Sequence, residues 1–297
     1  MQFLGFFTAT VICGVLADMI GKKKIFLASC LLMIGGSLVC SSVSQLSYLF
    51  MGVLLMGMGG GVMESMGVAL LCDVFPEQKK FYLNFQQVFF CLGAILAPIL
   101  AGRMVPMGVS WRVFFPVITA MSVGVLILLV PTSFVNHGTA EEPFSWTGLK
   151  TILKRFRFIS PCCMIFFYVF AESALLAFSA MYLMERFDAP KNWSTYTNAL
   201  FWTTMAIGRF SCSYIPERIS YRWVLLVLTL GSILCMGLQA YAWSWEISIL
   251  LFIVAGVFFS AIWAMILGLT SELNPGLSGS VIGITIAAGS LGCVASP

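Results

Sequence analysis

Apolar runs of about 20 residues follow one another along the 297 residues, separated by short polar breaks, and they fix the chain's solvent before its fold. A helix needs roughly 20 apolar residues to cross the hydrocarbon core, and only helices and closed barrels satisfy their backbone polar groups there. Barrel strands alternate polar and apolar residues over roughly 10 positions, a pattern these runs lack. Composition agrees, with 60% apolar and 9% charged residues and a mean hydropathy of +0.99; a soluble domain is about one quarter charged. The chain therefore reads as an all-α, multi-pass integral membrane protein. Spans are expected at about 1–18, 25–43, 47–73, 82–104, 111–131, 157–184, 194–213, 222–243, 247–271 and 278–297. The first run has no positively charged n-region and leads directly into a basic loop, so it reads as a span and not as a signal peptide.

The longest polar break, about 132–156, divides five spans from five. It is expected to be a cytoplasmic linker between an N-terminal half-domain (1–131) and a C-terminal half-domain (157–297). Orientation follows from Lys and Arg at alternate helix ends. One side carries Lys22, Lys23, Lys24, Lys79, Lys80, Lys150, Lys154, Arg155, Arg157, Arg209, Arg218 and Arg222; the other carries Arg103, Arg112, Arg186 and Lys191. The first side is expected to be cytoplasmic, in a plasma or inner membrane, and the net charge of +4 reads as this bias and not as a nucleic-acid footprint.

Several function classes find no support. The ten cysteines sit almost entirely inside apolar runs and read as small buried hydrophobes, while the only histidine, His137, falls in a polar loop. No metal or cofactor is expected. Nor is ATP hydrolysis, since the sequence lacks the phosphate-loop pattern, and no nucleophile, base and oxyanion donor can be assembled into an enzyme site. An internal repeat is visible instead: Leu92-Gly93-Ala94-Ile95-Leu96-Ala97-Pro98 recurs as Leu291-Gly292-Cys293-Val294-Ala295-Ser296-Pro297, an offset of 199, with a weaker echo of Gly14 at Gly208-Arg209, an offset of 194. Two related halves are the expected source.

Between the first two spans lies Gly14-Val15-Leu16-Ala17-Asp18-Met19-Ile20-Gly21-Lys22-Lys23-Lys24. This pattern resembles the signature loop of the major facilitator superfamily, which lies on the cytoplasmic side between helices 2 and 3. The resemblance implies a fold of two pseudo-symmetric helical half-domains and a conformational latch containing Gly14, Asp18, Gly21 and Lys22, with Arg209 at the echo. Three lysines would also mark a cytoplasmic loop whatever else they do. On the family's twelve-helix plan the chain is expected to correspond to helices 2 to 11, without helices 1 and 12.

Glu64 is the strongest candidate for the solute or proton site. A carboxylate inside a span costs roughly 2.5–3.5 kcal/mol on insertion scales and must face a cavity or a partner. Gly57, Gly60 and Gly61 lie on its helical face. Here the chain resembles fucose-permease-type sugar and proton symporters, whose glycine-rich fourth helix carries a glutamate. Leu83-Asn84-Phe85-Gln86-Gln87 with Gly93 matches that branch's fifth-helix pattern, and Asn84 and Gln87 share a face. Phe167-Tyr168-Val169-Phe170-Ala171-Glu172 resembles its seventh helix, with Tyr168 one turn from Glu172; Asn198, Trp202 and Trp263 extend the match. The same amides and tryptophans could instead bond and pack neighbouring helices.

The resemblance implies a secondary transporter that moves a small polar solute, a sugar above all, by proton-coupled alternating access, with sodium in place of the proton as the alternative. It would work as a monomer in contact with lipid. The 26 phenylalanines and 17 methionines leave open a drug or metabolite exporter on the same fold. A non-transporting sensor or remnant is the other alternative.

Overall fold

The computed structural model describes residues 1–132, 145–273 and 277–296. The sequence expectations that involve His137 and Pro297 lie outside the described residues. Every expected span is helical. The helices are α1 (Gln2–Ile20), α2 (Lys22–Ser42), α3 (Leu46–Val74), α4 (Lys79–Met104), α5 (Phe114–Leu129, after a 3-10 turn at Trp111–Val113), α6 (Trp146–Leu153), α7 (Phe156–Phe187), α8 (Lys191–Ser213), α9 (Tyr221–Gln239), α10 (Trp245–Phe259), α11 (Ile262–Leu273) and α12 (Ser278–Ala295). Nine stretches among the described residues are long and apolar enough to cross a membrane, with α10 and α11 counted as one stretch, Trp245–Leu273. Of the ten expected spans, α8 is the one not in that set and is the most polar of the long helices.

Local chemistry sets the boundaries. Ser145, Ser220 and Ser244 cap α6, α9 and α10 by accepting N–H bonds from Gly148, Arg222 and Ile247, which satisfies donors that a helix start leaves open. Gly21 turns α1 into α2 at φ 100°, a conformation that suits a residue without Cβ. Helix α6 stands inside the expected linker, with Leu149 buried.

The contacts divide the chain into two compact units. Met1–Pro76, Arg103–Phe167 and Thr270–Val294 form the first; Glu77–Gly102 and Tyr168–Leu269 make most of the second. In the first, α3 packs against α1 and α2, and α2 also against α5, where Ser37 and Thr119 share a 2.7 Å hydrogen bond. Ala9, Ala17, Ile25, Val62 and Met66 form its buried centre. Small residues let these helices approach, because apolar area gives no net drive between helices in lipid and close backbone packing replaces it. A Cβ on Gly61 would lie 2.9 Å from the Phe6 carbonyl oxygen and 3.0 Å from Thr10, and one on Gly59 would lie 2.9 Å from the Ser29 carbonyl oxygen. Gly61→Val is therefore expected to destabilise the α1–α3 contact by about 1–3 kcal/mol, read as a lower melting temperature in detergent; an unchanged melting temperature would show that α1 can move away freely.

Candidate functional site

The signature loop acts on the first turn of α12. Asp18, on the last turn of α1, accepts the Gly279 N–H on Oδ1 at 3.0 Å, and on Oδ2 it accepts the Ser280 N–H at 2.7 Å and the Ser280 hydroxyl at 2.6 Å. The first N–H groups of a helix lack intrahelical partners and carry its positive dipole end, so a carboxylate fits there both as acceptor and as charge. Close approach is possible because glycines meet: a Cβ on Gly14 would lie 2.7 Å from the Gly279 carbonyl oxygen, and one on Gly283 would lie 3.1 Å from Gly14 Cα. Beside this contact Lys22 pairs with Asp73 at the end of α3 and donates to the Ser278 hydroxyl, which donates to Asp73 Oδ1 at 3.0 Å. Lys23 Nζ donates to the Val130 carbonyl at 2.9 Å. The ends of α1, α3 and α5 and the starts of α2 and α12 therefore meet within this unit.

The second unit holds a similar contact. The Lys80 N–H, in the first turn of α4, donates to Glu217 Oε1 at 2.8 Å. Its side chain is 1% exposed. Lys80 Nζ donates to the carbonyls of Glu217 at 2.8 Å and Ile219 at 2.7 Å, lies 3.2 Å from Glu217 Oε2, and sits 4.7 Å above the Tyr221 ring. Glu217 follows Asp18 by 199 residues, and Gly279 follows Lys80 by 199. In both units a carboxylate near a helix end caps the N-terminus of another helix, at the offset of the heptapeptide repeat.

Deeper in the second unit, Tyr168 on α7 donates its phenol proton toward Glu172 Oε1 at 2.8 Å and the Phe259 carbonyl at 3.1 Å. Arg209 on α8 is 3% exposed. Its Nε donates to the Ser260 carbonyl at 2.9 Å, and its Nη1 donates to the Gln87 carbonyl at 3.1 Å and to Cys91 Sγ at 3.0 Å. The guanidinium lies 5.9 Å from the centre of the Phe90 ring, which also packs on Trp202 at 5.7 Å. Ser260 and Ala261 are where the run from α10 to α11 is interrupted. Irregular backbone at membrane depth is tolerated where it is buried in protein or lines a cavity.

The remaining candidates separate by role. Asn198 accepts from the Ser179 hydroxyl at 2.6 Å and donates to the Leu176 carbonyl at 3.0 Å, so its amide ties α8 to α7. Asn84 is buried and donates to the Lys80 carbonyl at 2.8 Å, while its Oδ1 has no partner among the described residues. The buried indole N–H of Trp263 likewise has none. Glu64 is half-buried on α3, in the first unit; Gln87, Glu172, Asn198, Trp202 and Trp263 belong to the second. No cluster of three metal-ligating side chains occurs among the described residues.

A sequence model of the Major Facilitator Superfamily matches residues 1–297. The chain belongs to this superfamily. Among curated relatives, the "Putative niacin/nicotinamide transporter NiaP" of Bacillus subtilis is 24% identical over 309 residues, covering 99% of this chain and 75% of that protein. The "Multidrug resistance protein MdtL" of Salmonella typhimurium is 26% identical over 231 residues, covering 75% of this chain and 57% of the relative. Among solved structures, a variant of the Escherichia coli fucose:proton symporter FucP superposes with a TM-score of 0.84 at 18% identity, covering 98% of this chain and 79% of that one. At that identity the likeness establishes the fold. This superfamily member is a multi-pass membrane transporter and not an enzyme.

Sequence reading reached Asp18 and Lys22 through the motif but passed over Asp73, Ser280, Glu217 and the buried role of Lys80. Applying the offset of 199 to Asp18 would have found Glu217. The weaker offset of 194 led to Gly208 instead, which packs against Ser260, where an added Cβ would lie 2.6 Å from the hydroxyl.

Proposed function

We propose that this superfamily member is a proton-coupled secondary transporter of a small polar solute of the sugar class, working as a monomer in the plasma or inner membrane. The reading takes 1–131 and 157–297 as the two half-domains, 132–156 as their linker, and alternating access as the mechanism. The observation that carries it is Glu172. This carboxylate lies in the middle of a long apolar helix, bonded to Tyr168 and within electrostatic reach of Arg209. A charge so placed is expensive and marks an ion or substrate path by default. Protonation removes that cost when the site closes, which links proton binding to the conformational change. The orphan Trp263 N–H supports a hydroxyl-bearing solute, since a buried donor without a partner is stabilised by a ligand oxygen. The solute itself is suggested by fold likeness to FucP, whose own name states fucose and proton.

Proteoliposomes holding the full chain test this reading with labelled sugars under an imposed pH step. Accumulation that collapses with a protonophore is expected, and Glu64→Gln and Glu172→Gln should each keep solute binding while losing gradient-driven accumulation. Unchanged accumulation in Glu64→Gln would remove that residue from coupling. The 26% identity to MdtL favours a second reading as an exporter. The two separate by thermal stabilisation: a symporter responds to a narrow sugar set, an exporter to varied lipophilic cations.

A further inference from the structure

We propose that Arg209 is the counter-ion of Glu172, and that Tyr168 passes the protonation state of Glu172 to the break between α10 and α11. This rests on the coupling reading of Glu172 given above and adds the residues that carry the signal. Arg209 carries a full positive charge in a site where it is 3% exposed. Its hydrogen bonds run to main-chain carbonyls and a thiol, and among the described residues no carboxylate forms an ion pair with it. A buried cation satisfied only by neutral acceptors still needs a counter-charge nearby. Tyr168 bonds both Glu172 and the Phe259 carbonyl, and Arg209 holds the adjacent Ser260 carbonyl; the groups that act electrostatically on Arg209 in this site are Tyr168, Cys91 and Glu172. Glu172 is the one carboxylate in this set.

Tyr168 makes the arrangement a switch. A phenol has one proton to donate, and two acceptors stand in range, Glu172 Oε1 at 2.8 Å and the Phe259 carbonyl at 3.1 Å. An ionised Glu172 is an acceptor only and draws that proton; a protonated Glu172 has its own proton to give, and the phenol turns to Phe259. The next carbonyl, Ser260, is held by Arg209 Nε. Protonating Glu172 thus weakens the electrostatic hold on Arg209 and strengthens the phenol's bond at Phe259, so both effects arrive at adjacent carbonyls of one interrupted helix. Because Arg209 also holds the Gln87 carbonyl of α4, the change reaches α4, α7, α8 and the α10–α11 break. Arg209 is in this sense a positioning residue.

The test titrates Glu172 directly. The carboxyl stretch of the purified full chain is followed by infrared difference spectroscopy across pH, with Glu172→Gln identifying the band. Arg209→Met is expected to move the midpoint to higher pH by about one unit or more, tenfold or more in proton concentration, and Arg209→Lys to hold it nearer the native value. A midpoint in Arg209→Met equal to the native one overturns the proposal. Should Arg209→Met not fold, Tyr168→Phe serves, since it removes one bond to the carboxylate and leaves Arg209 its carbonyls; a midpoint raised above the native one is expected, and no shift overturns the switch. Because no solute enters this measurement, it separates from the reading it rests on: a native chain whose Glu172 titrates with Arg209 but which accumulates nothing under a pH step refutes proton-coupled transport and leaves the counter-ion standing.

Discussion

Lys80→Met is expected to lower the melting temperature of the detergent-solubilised chain by several degrees, a loss on the order of 3 kcal/mol. Removing a buried charge can be neutral when both partners of a pair become apolar, so the sign depends on what stays behind. Here the carbonyls of Glu217 and Ile219 lose a charged donor at 2.8 and 2.7 Å. A methionine of similar length would keep water out of a site where the native side chain is 1% exposed. Glu217 and Ile219 are themselves exposed, so the cost falls on the face of each carbonyl that the methionine covers, about 1–3 kcal/mol where no donor replaces the ammonium. Glu217 itself recovers, because its side chain is 36% exposed and can be rehydrated.

Two companions separate the parts of this site. Glu217→Gln keeps an oxygen for the Lys80 N–H and should cost less than Lys80→Met; Glu217→Ala leaves that first-turn N–H open and should cost more than Glu217→Gln. Equal melting temperatures for the native chain and Lys80→Met, followed by intrinsic fluorescence on heating, would mean that the loop at 216–219 moves to rehydrate its carbonyls. The buried cation would then not be what holds α4 to that loop.

Much of the fold was legible because a bilayer allows few solutions. Apolar length located the spanning helices from α1 to the joined α10–α11, whereas α6, 8 residues inside the expected linker, gave no such signal. The interruption at Ser260–Ala261 was not legible, because the sequence from Ile247 to Leu269 carries no charged residue and no proline. Among candidate site residues, the motif found Asp18, and the i, i+4 spacing paired Tyr168 with Glu172, since both are local signals. The tie of Asn198 to α7 and the burial of Arg209 depend on which helices become neighbours, and a single sequence does not contain that information. Arg209 stands beside a glycine that resembles the loop echo, which pointed to a latch role, and the sequence held no sign that its hydrogen bonds run to α4 and to the α10–α11 break.

Asp18→Ala is expected to leave the chain folded and to reduce transport about tenfold or more. Its carboxylate takes two first-turn N–H groups and one hydroxyl of α12, and a carboxylate at such a helix end contributes about 0.3–1 kcal/mol, up to about 2 when partly buried. A shift of about 1.4 kcal/mol is tenfold in an equilibrium, so a conformational balance resting on this contact moves by that factor while the helices keep their packing. The local readout is amide hydrogen exchange at Gly279 and Ser280, whose protection should fall about tenfold in Asp18→Ala. Asp18→Asn should fall nearly as far, since one amide oxygen can accept but the NH2 group opposes a second N–H donor. Ser280→Ala loses only the hydroxyl and should fall least. If Asp18→Ala loses transport while exchange at Gly279 and Ser280 stays native, the aspartate acts through some group other than the α12 terminus, and the latch role does not hold. If exchange rises while transport stays native, the cap is structural, and the three lysines that follow it serve to orient the chain in the membrane.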